Sequence, residues 1–366
     1  MKKYKVLIVD DSALIRKTLT KILSQDPQLE VVGTAHDPYF ARDKIKQVQP
    51  DVITLDIEMP RMDGITFLEK LMNARPIPVV VVSSLAEENA EVTLQALELG
   101  AITCVEKPKL DLERSLQGQG KELIEIVKNA ARARVQAPTR RRRTSPTEVT
   151  VDKRHSVDAV LPVRRKSRAV TTSDRVVAIG SSTGGTVVIH DILSEMPVDC
   201  PGIVVVQHMP GGYTASFAER LNRSCHIEVR EAKNGDRILP GLALLAPSGT
   251  HHTVVKRSGA NYHVQLIDGP RVDRHIPSVN VLFRSMAQEV GGNGVGVILT
   301  GMGDDGADGM LEMHNAGAVT IAQDEASCVV FGMPKEAIGR GAVDHVIARS
   351  RMARKILEHA GAKVRV

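Results

Sequence analysis

Aromatic residues make up only 2% of the 366-residue chain, with five Phe, four Tyr and no Trp. So few rings exclude the stacking platforms that grip single-stranded nucleic acid. Cysteine is sparser still. Cys104, Cys200, Cys225 and Cys328 stand far apart, so no CxxC pair offers a zinc or redox site. Scattered thiols suit a reducing cytosol. Long hydrophobic runs are missing too, and no stretch approaches the ~18 apolar residues of a membrane span. The first apolar run ends at Val9 and meets Asp10 and Asp11 at once, too early for a signal-peptide core. The expectation is a cytoplasmic protein without membrane insertion. The remaining composition, 42% hydrophobic and 25% charged, is that of ordinary globular domains. At roughly 150 residues per domain, the length suggests two.

Charge of one sign is concentrated. Between Arg132 and Arg168 stand twelve Lys/Arg and three Asp/Glu, a local net of +9 in a chain of net +5, so the remainder carries −4. This stretch includes Arg140-Arg141-Arg142-Arg143 and scattered Pro, Ser and Thr, without a sustained hydrophobic period. It reads as a solvated, self-repelling tether that buries too little apolar surface to order itself. A run of four arginines is also what an acidic or nucleic-acid surface would attract, but no nucleic-acid partner is expected. The organisation expected is a first domain over 1–125, a flexible basic linker over 126–174 and a second domain over 175–366.

Before the linker, apolar runs at 6–9, 29–34, 52–55, 79–82 and 102–105 alternate with amphipathic stretches at 12–24, 37–47, 64–73, 85–98 and 111–134. Five strands alternating with five helices predict a doubly wound five-stranded parallel sheet, and near-continuous Val/Ile/Leu suits strands buried on both faces. Ligands of such sheets sit beyond the carboxyl ends of the strands. Those ends carry Asp10-Asp11, Asp56, Ser83-Ser84 and Glu106-Lys107-Pro108. Three converging carboxylates call for a cation, and hard oxygen ligands favour Mg²⁺. With a lysine and a hydroxyl nearby to hold phosphoryl oxygens, the set describes a phosphorylatable aspartate, Asp56, assisted by Lys107 and Ser83.

Residues 1–125 resemble a response-regulator receiver domain. The resemblance rests on Asp10-Asp11, Leu55-Asp56-Ile57-Glu58-Met59-Pro60, Asp63-Gly64, Ser83 and Lys107-Pro108. It implies Asp56 as phosphoacceptor and Mg²⁺ held by Asp11, Asp56 and the Glu58 carbonyl, with Asp10 close by. Where that family often has an aromatic switch residue this chain has Cys104, so switching through an aromatic rotamer is not expected.

The second domain opens with an apolar strand at 175–179, the turn Gly180-Ser-Ser-Thr-Gly-Gly185 and a helical stretch at 186–196. Such a turn serves either a phosphate or cofactor at the helix N-terminus, or a serine exposed beside oxyanion-stabilising N–H groups. Two later strands, 202–206 and 295–299, end in Gln207-His208-Met209-Pro210 and Thr300-Gly-Met-Gly-Asp304-Asp305-Gly306. A Ser, a His and an Asp therefore stand at three strand ends that one crevice can gather. The roles inferred are Ser182 nucleophile, His208 base and Asp305 orienter. Ser181 and Asp304 stand beside them as rivals, whose bland readings are a turn residue and a helix cap. The chain order Ser, His, Asp differs from the Ser, acid, His of α/β-hydrolases. His251 and His252 follow a strand end, where a rim or substrate-contact role is open to them; Arg271, Arg274 and His275 are read as solvated loop, and 253–267 as a hairpin. The expected fold is a three-layer α/β domain with a mostly parallel sheet.

These motifs, together with Ala246-Pro247, Gly249-Thr-His251 and Ala326-Ser-Cys-Val-Val-Phe-Gly-Met-Pro334, resemble the chemotaxis protein-glutamate methylesterase family over both domains. This resemblance is what favours Ser182 over Ser181. The resemblance implies hydrolysis of glutamate γ-methyl esters on chemoreceptors, deamidation of receptor glutamines, and backbone N–H groups of Thr183 and Met302 as oxyanion donors. It also implies a chemosensory histidine kinase as phosphodonor, residence at receptor arrays, and an unphosphorylated receiver that covers the Ser182–His208 cleft. Mg²⁺ serves the receiver, and the esterase reaction takes no cofactor. The alternative is a response regulator with a DNA-binding or cofactor-binding output domain.

Overall fold

The computed structural model describes residues 3–59, 62–83, 90–107, 119–133, 155–162 and 175–361. Pro60, Ser84, Pro108 and the four-arginine run therefore lie outside the described residues. The chain divides into two compact units, Met1–Thr144 and Ser145–Val366.

The first unit alternates strictly: β1 (Tyr4–Val9), α1 (Ala13–Leu23), β2 (Leu29–Ala35), α2 (Pro38–Val48), β3 (Val52–Leu55), α3 (Gly64–Ala74), β4 (Val79–Ser83), α4 (Ala90–Glu98), β5 (Thr103–Glu106) and α5 (Gln119–Arg132). Its strands run in the order β2-β1-β3-β4-β5, every pairing parallel. Strand order reverses between β1 and β3, which opens a crevice at their carboxyl ends. Leu7, Val9, Ile53, Leu55, Val79 and Val81 are buried in the core. Ser12, Asp37 and Asp63 each accept a hydrogen bond from the first turn of the helix that follows, which fixes where α1, α2 and α3 begin. The helix expected at 111–134 spans Gln119–Arg132 and crosses the expected domain end at 125. Val127 is fully buried, and Lys128 reaches Asp26 at 3.0 Å, so this helix belongs to the first unit.

The second unit contains β6 (Val176–Ser181), α6 (Gly185–Ser194), β7 (Gly202–Gln207), α7 (Tyr213–Ser224), β8 (Glu228–Glu231), β9 (Leu242–Leu245), β10 (His252–Ser258), β11 (Asn261–Ile267), α8 (Val279–Glu289), β12 (Gly294–Ile298), α9 (Ala307–Asn315), β13 (Val319–Gln323), α10 (Met333–Gly339), β14 (His345–Ile347) and α11 (Met352–Ala360). Seven strands form one sheet in the order β14-β13-β12-β6-β7-β9-β8, again with parallel pairings throughout. The hairpin expected at 253–267 is β10–β11, antiparallel and separate from that sheet. Ala178, Val204 and Ile298 pack with Phe283, Met310 and Met333 from α8, α9 and α10. Strand β6 is central. The chain leaves it toward β7 on one side and returns as β12 on the other, so the switch point lies where β6 and β12 end.

Part of the expected linker is structured with this second unit. Residues 155–162 contain a short 3₁₀ turn, Val157–Ala159, and Val157 and Leu161 are buried against Val254, Val272 and Val281. Arg284 of α8 holds the strap, donating to Asp158 and, at 3.0 Å, to the Leu161 carbonyl. The surrounding basic stretch concealed it, because two buried apolar positions show no period.

Candidate functional site

In the first unit, Asp10, Asp11 and Asp56 bring carboxylate oxygens within 4.8 Å of one another at the β1/β3 switch point. Lys107 Nζ lies 2.7 Å from Asp56 Oδ2 and 3.7 Å from Asp10 Oδ2. Asp56 Oδ1 accepts the Glu58 N–H at 3.2 Å. Ser83 is buried at the end of β4, and its carbonyl accepts the Lys107 N–H at 2.9 Å. Burial dominates the electrostatics. It pushes the Asp56 carboxyl up to about 6 against the pull of Lys107, with Asp10 adding repulsion. Asp10 is raised for the same reason. Asp10 Oδ2 is buried without a hydrogen-bond donor. An all-oxygen set with one orphaned, charge-crowded atom fits a hard divalent cation such as Mg²⁺. Cys104, at the expected switch position, is a buried thiol pushed up to about 12 by burial.

In the second unit, Ser182 is the first residue beyond β6. Gly184, in the left-handed region at φ 79°, turns the chain into α6. Ser181 is fully buried, and its hydroxyl donates to the Thr300 carbonyl at 3.4 Å; Ser182 keeps partial exposure. The Ser182 N–H also donates to the Thr300 carbonyl, at 3.1 Å, which ties the β6 turn to the end of β12. The approach is so close that a Cβ on Gly301 would stand 2.8 Å from the Ser182 Cβ. Among the described residues no acceptor lies against the Thr183 or Met302 N–H. Gln207 Nε2 donates to the carbonyls of Ser182 (2.8 Å) and His208 (2.9 Å), joining the ends of β6 and β7.

His208 Nε2 lies 2.9 Å from Asp305 Oδ2, while its Nδ1 is buried with no hydrogen-bond partner. Asp305, 1% exposed, also accepts from Ser278 Oγ (2.7 Å), the Val279 N–H (2.8 Å) and the Asn280 N–H (2.9 Å). Burial raises its pKa, but the His208 hydrogen bond, nearby imidazole charge and the Asn280 N–H outweigh it, so the net direction is down. The carboxylate thus sits on the first turn of α8, where helix N–H groups favour negative charge. Asp304 lies 3.5 Å from Arg340, and the N-cap position of α9 is Gly306.

Sequence reasoning missed several neighbours. His275 was expected in solvated loop with Arg271 and Arg274. The two arginines are exposed, but the His275 ring stacks on His208 with centroids 3.6 Å apart and planes 8° apart. His252, for which the sequence leaves a rim or substrate-contact role open, is fully buried beneath this loop. Its Nδ1 accepts the Ser278 N–H at 3.2 Å, so Nε2 carries the proton and donates to the Pro270 carbonyl at 2.9 Å. Ser278 had a readable signal, a serine just before an apolar run, the pattern of an N-cap. Gln207 stood in the strand-end motif beside His208 without an assigned role, and His275 had no signal.

A doubly wound unit with an acidic switch-point crevice, followed by an α/β unit that gathers Ser, His and Asp at its strand ends, defines a response regulator with an enzymatic output domain. The family model described as response regulator receiver domain matches residues 6–116, and that described as CheB methylesterase matches residues 177–356. The protein-glutamate methylesterase/protein-glutamine glutaminase 1 of Geobacter metallireducens is 54% identical over 352 residues, 96% of this chain and 94% of that protein. A like-named protein of Xanthomonas campestris is 52% identical over 351 residues, 96% of this chain and 99% of its own length. Among solved structures, the catalytic domain of Thermotoga maritima CheB methylesterase is 36% identical, covering 50% of this chain and 98% of that one with a TM-score of 0.49. The chain belongs to the protein-glutamate methylesterase/protein-glutamine glutaminase family.

Proposed function

We propose that the second unit hydrolyses γ-methyl esters of glutamates on chemoreceptors, and deamidates receptor glutamines, under control of phosphorylation at Asp56. The observation that carries this reading is the state of His208. One ring nitrogen is fixed on Asp305, and the other has no hydrogen-bond partner, which leaves it open to take a proton. Because Asp305 takes the Nε2–H, Nδ1 is the basic nitrogen for Ser182. Ser182 Oγ attacks the γ-carbonyl carbon as His208 Nδ1 takes its proton, and the oxyanion settles between the Thr183 and Met302 N–H groups. Collapse expels methoxide, which takes the proton from His208 and leaves as methanol. Water, deprotonated by the same nitrogen, then cleaves the acyl-enzyme to free glutamate and Ser182. With glutamine the leaving group is ammonia.

In the receiver unit, Asp11, Asp56 and the Glu58 carbonyl would hold Mg²⁺, with Asp10 beside them. When bound, the ion offsets charge on the transferring phosphoryl group. Asp56 takes that group from a chemosensory histidine kinase, and Lys107 and Ser83 hold its oxygens. The protein works in the cytoplasm at receptor arrays, and the unphosphorylated receiver represses the esterase. The test is methanol release from methylated receptor membranes by the full chain, with and without a small-molecule phosphodonor. Release that rises several-fold with the donor is expected, and no release in either condition ends this reading.

A further inference from the structure

We propose that His275 is a positioning residue of the esterase site, its ring lying flat on His208 to hold the plane in which Nε2 meets Asp305 and Nδ1 is presented to Ser182. The inference rests on the reading of His208 as the base. A ring tethered along one edge by a single hydrogen bond still tilts about that bond, and a second ring against its face removes that freedom. The stacking distance of 3.6 Å and tilt of 8° leave no room for such tilting on that side.

The loop carrying His275 is built for this placement. Val272 and His275 exchange both backbone hydrogen bonds, at 3.0 and 2.8 Å, around Asp273 and Arg274. Both central residues are left-handed, at φ 48° and 74°, in a reversal that usually takes Asn-Gly. Non-glycine residues persist in such a conformation only where their surroundings over-determine it. Here Asn280 Nδ2 donates to Asp273 Oδ2 at 2.6 Å, Arg271 donates to the Arg274 carbonyl at 3.3 Å, and the Asp273 N–H reaches the His155 carbonyl at 3.4 Å. Asn280 also gives its own N–H to Asp305. One stretch of chain therefore fixes the carboxylate at the edge of His208 and the ring on its face.

Charge agrees with the geometry. Burial, with the His208 charge adding to it, pushes His275 down to about 3, so at neutral pH it offers an uncharged π face. Such a face tolerates the imidazolium that His208 becomes during turnover.

Steady-state methanol release from methylated receptor membranes by the full chain tests this, with melting curves to verify folding. His275→Ala should lower kcat by about 10- to 100-fold with KM within about twofold, the cost of a loosened rather than absent base. His275→Phe, which restores a flat uncharged ring, should recover to within about fivefold of wild type. Wild-type kcat in folded His275→Ala overturns the proposal. So does a folded His275→Phe no better than His275→Ala, or a His275→Ala defect confined to KM, the mark of a substrate contact. If His275→Ala does not fold, His275→Phe decides alone: activity within about fivefold upholds the stacking role and a greater loss overturns it. His208→Ala run alongside separates the two readings, since its full activity would remove the base and leave His275 with nothing to position.

Discussion

Asp56 and Asp305 are both 1% exposed and stand at the switch points of two parallel sheets, yet their acidities move in opposite directions. Burial acts on both. Asp56 meets it with Lys107 and a single 3.2 Å backbone N–H, and has Asp10 pressing on it. Asp305 meets it with an imidazole, a hydroxyl and two N–H groups of α8. Donor supply, not depth, decides the outcome. In the proposed chemistry the under-satisfied carboxylate is the one that attacks, and the saturated one only orients.

The sharpest way to break this comparison is to remove what Asp305 serves. Ser182→Ala should cut methanol release by about 10³-fold or more, whereas Ser181→Ala, altering a buried hydroxyl on the Thr300 carbonyl, should stay within about tenfold. The reverse ranking would move the nucleophile. Next in size, Asp305→Asn should cost about 10² to 10⁴ in kcat by favouring the wrong His208 tautomer. Asp304→Asn should cost less than about fivefold, because Asp304 faces Arg340. Equal losses would dissolve the distinction between the two acids.

On the other side of the comparison, Asp56→Ala should keep its basal rate within about twofold and lose the several-fold stimulation by a phosphodonor. Retained stimulation would place phosphorylation elsewhere. The smallest effect is on stability. A folded-state pKa near 6, above the unfolded value of 3.8, makes ionised Asp56 destabilising: its contribution to stability is full below about pH 4 and lost as pH rises through 6. Without Mg²⁺, Asp56→Asn should therefore stabilise the receiver unit by about 1–3 kcal/mol at pH 7.5. The gain should fade toward pH 4. Calorimetry of the full chain at both pH values reads it, and a gain that grows with acidity would contradict the sign.

How legible each feature was follows from its range in the sequence. The ends of β1, β3, β6, β7 and β12 were readable because fully buried parallel strands are unbroken Val/Ile/Leu runs that stop at chemistry-bearing residues. Strand β8, four residues with Glu at both ends, and β14, three residues long, carry too little pattern. Strand β13, Val319–Gln323, is an apolar run of legible length. Asp304 and Asp305 are neighbours that only the packing of α8 separates. His275 lies 67 residues from the ring it covers, and nothing local marks it.

The strap over 155–162 has a consequence for which parts of the chain open together. The Leu161 N–H donates to the Val157 carbonyl at 2.8 Å, and the segment is clamped to α8, the same helix whose first turn holds Asp305. Amides of this segment should therefore exchange hydrogen with the esterase core as one cooperative unit, rather than at the rate of a solvated arm. A fragment beginning at 175 would uncover Val254, Val272 and Val281 and strip Arg284 of Asp158 and the Leu161 carbonyl. One beginning at 155 would keep them, some twenty residues ahead of the first sheet strand of this unit.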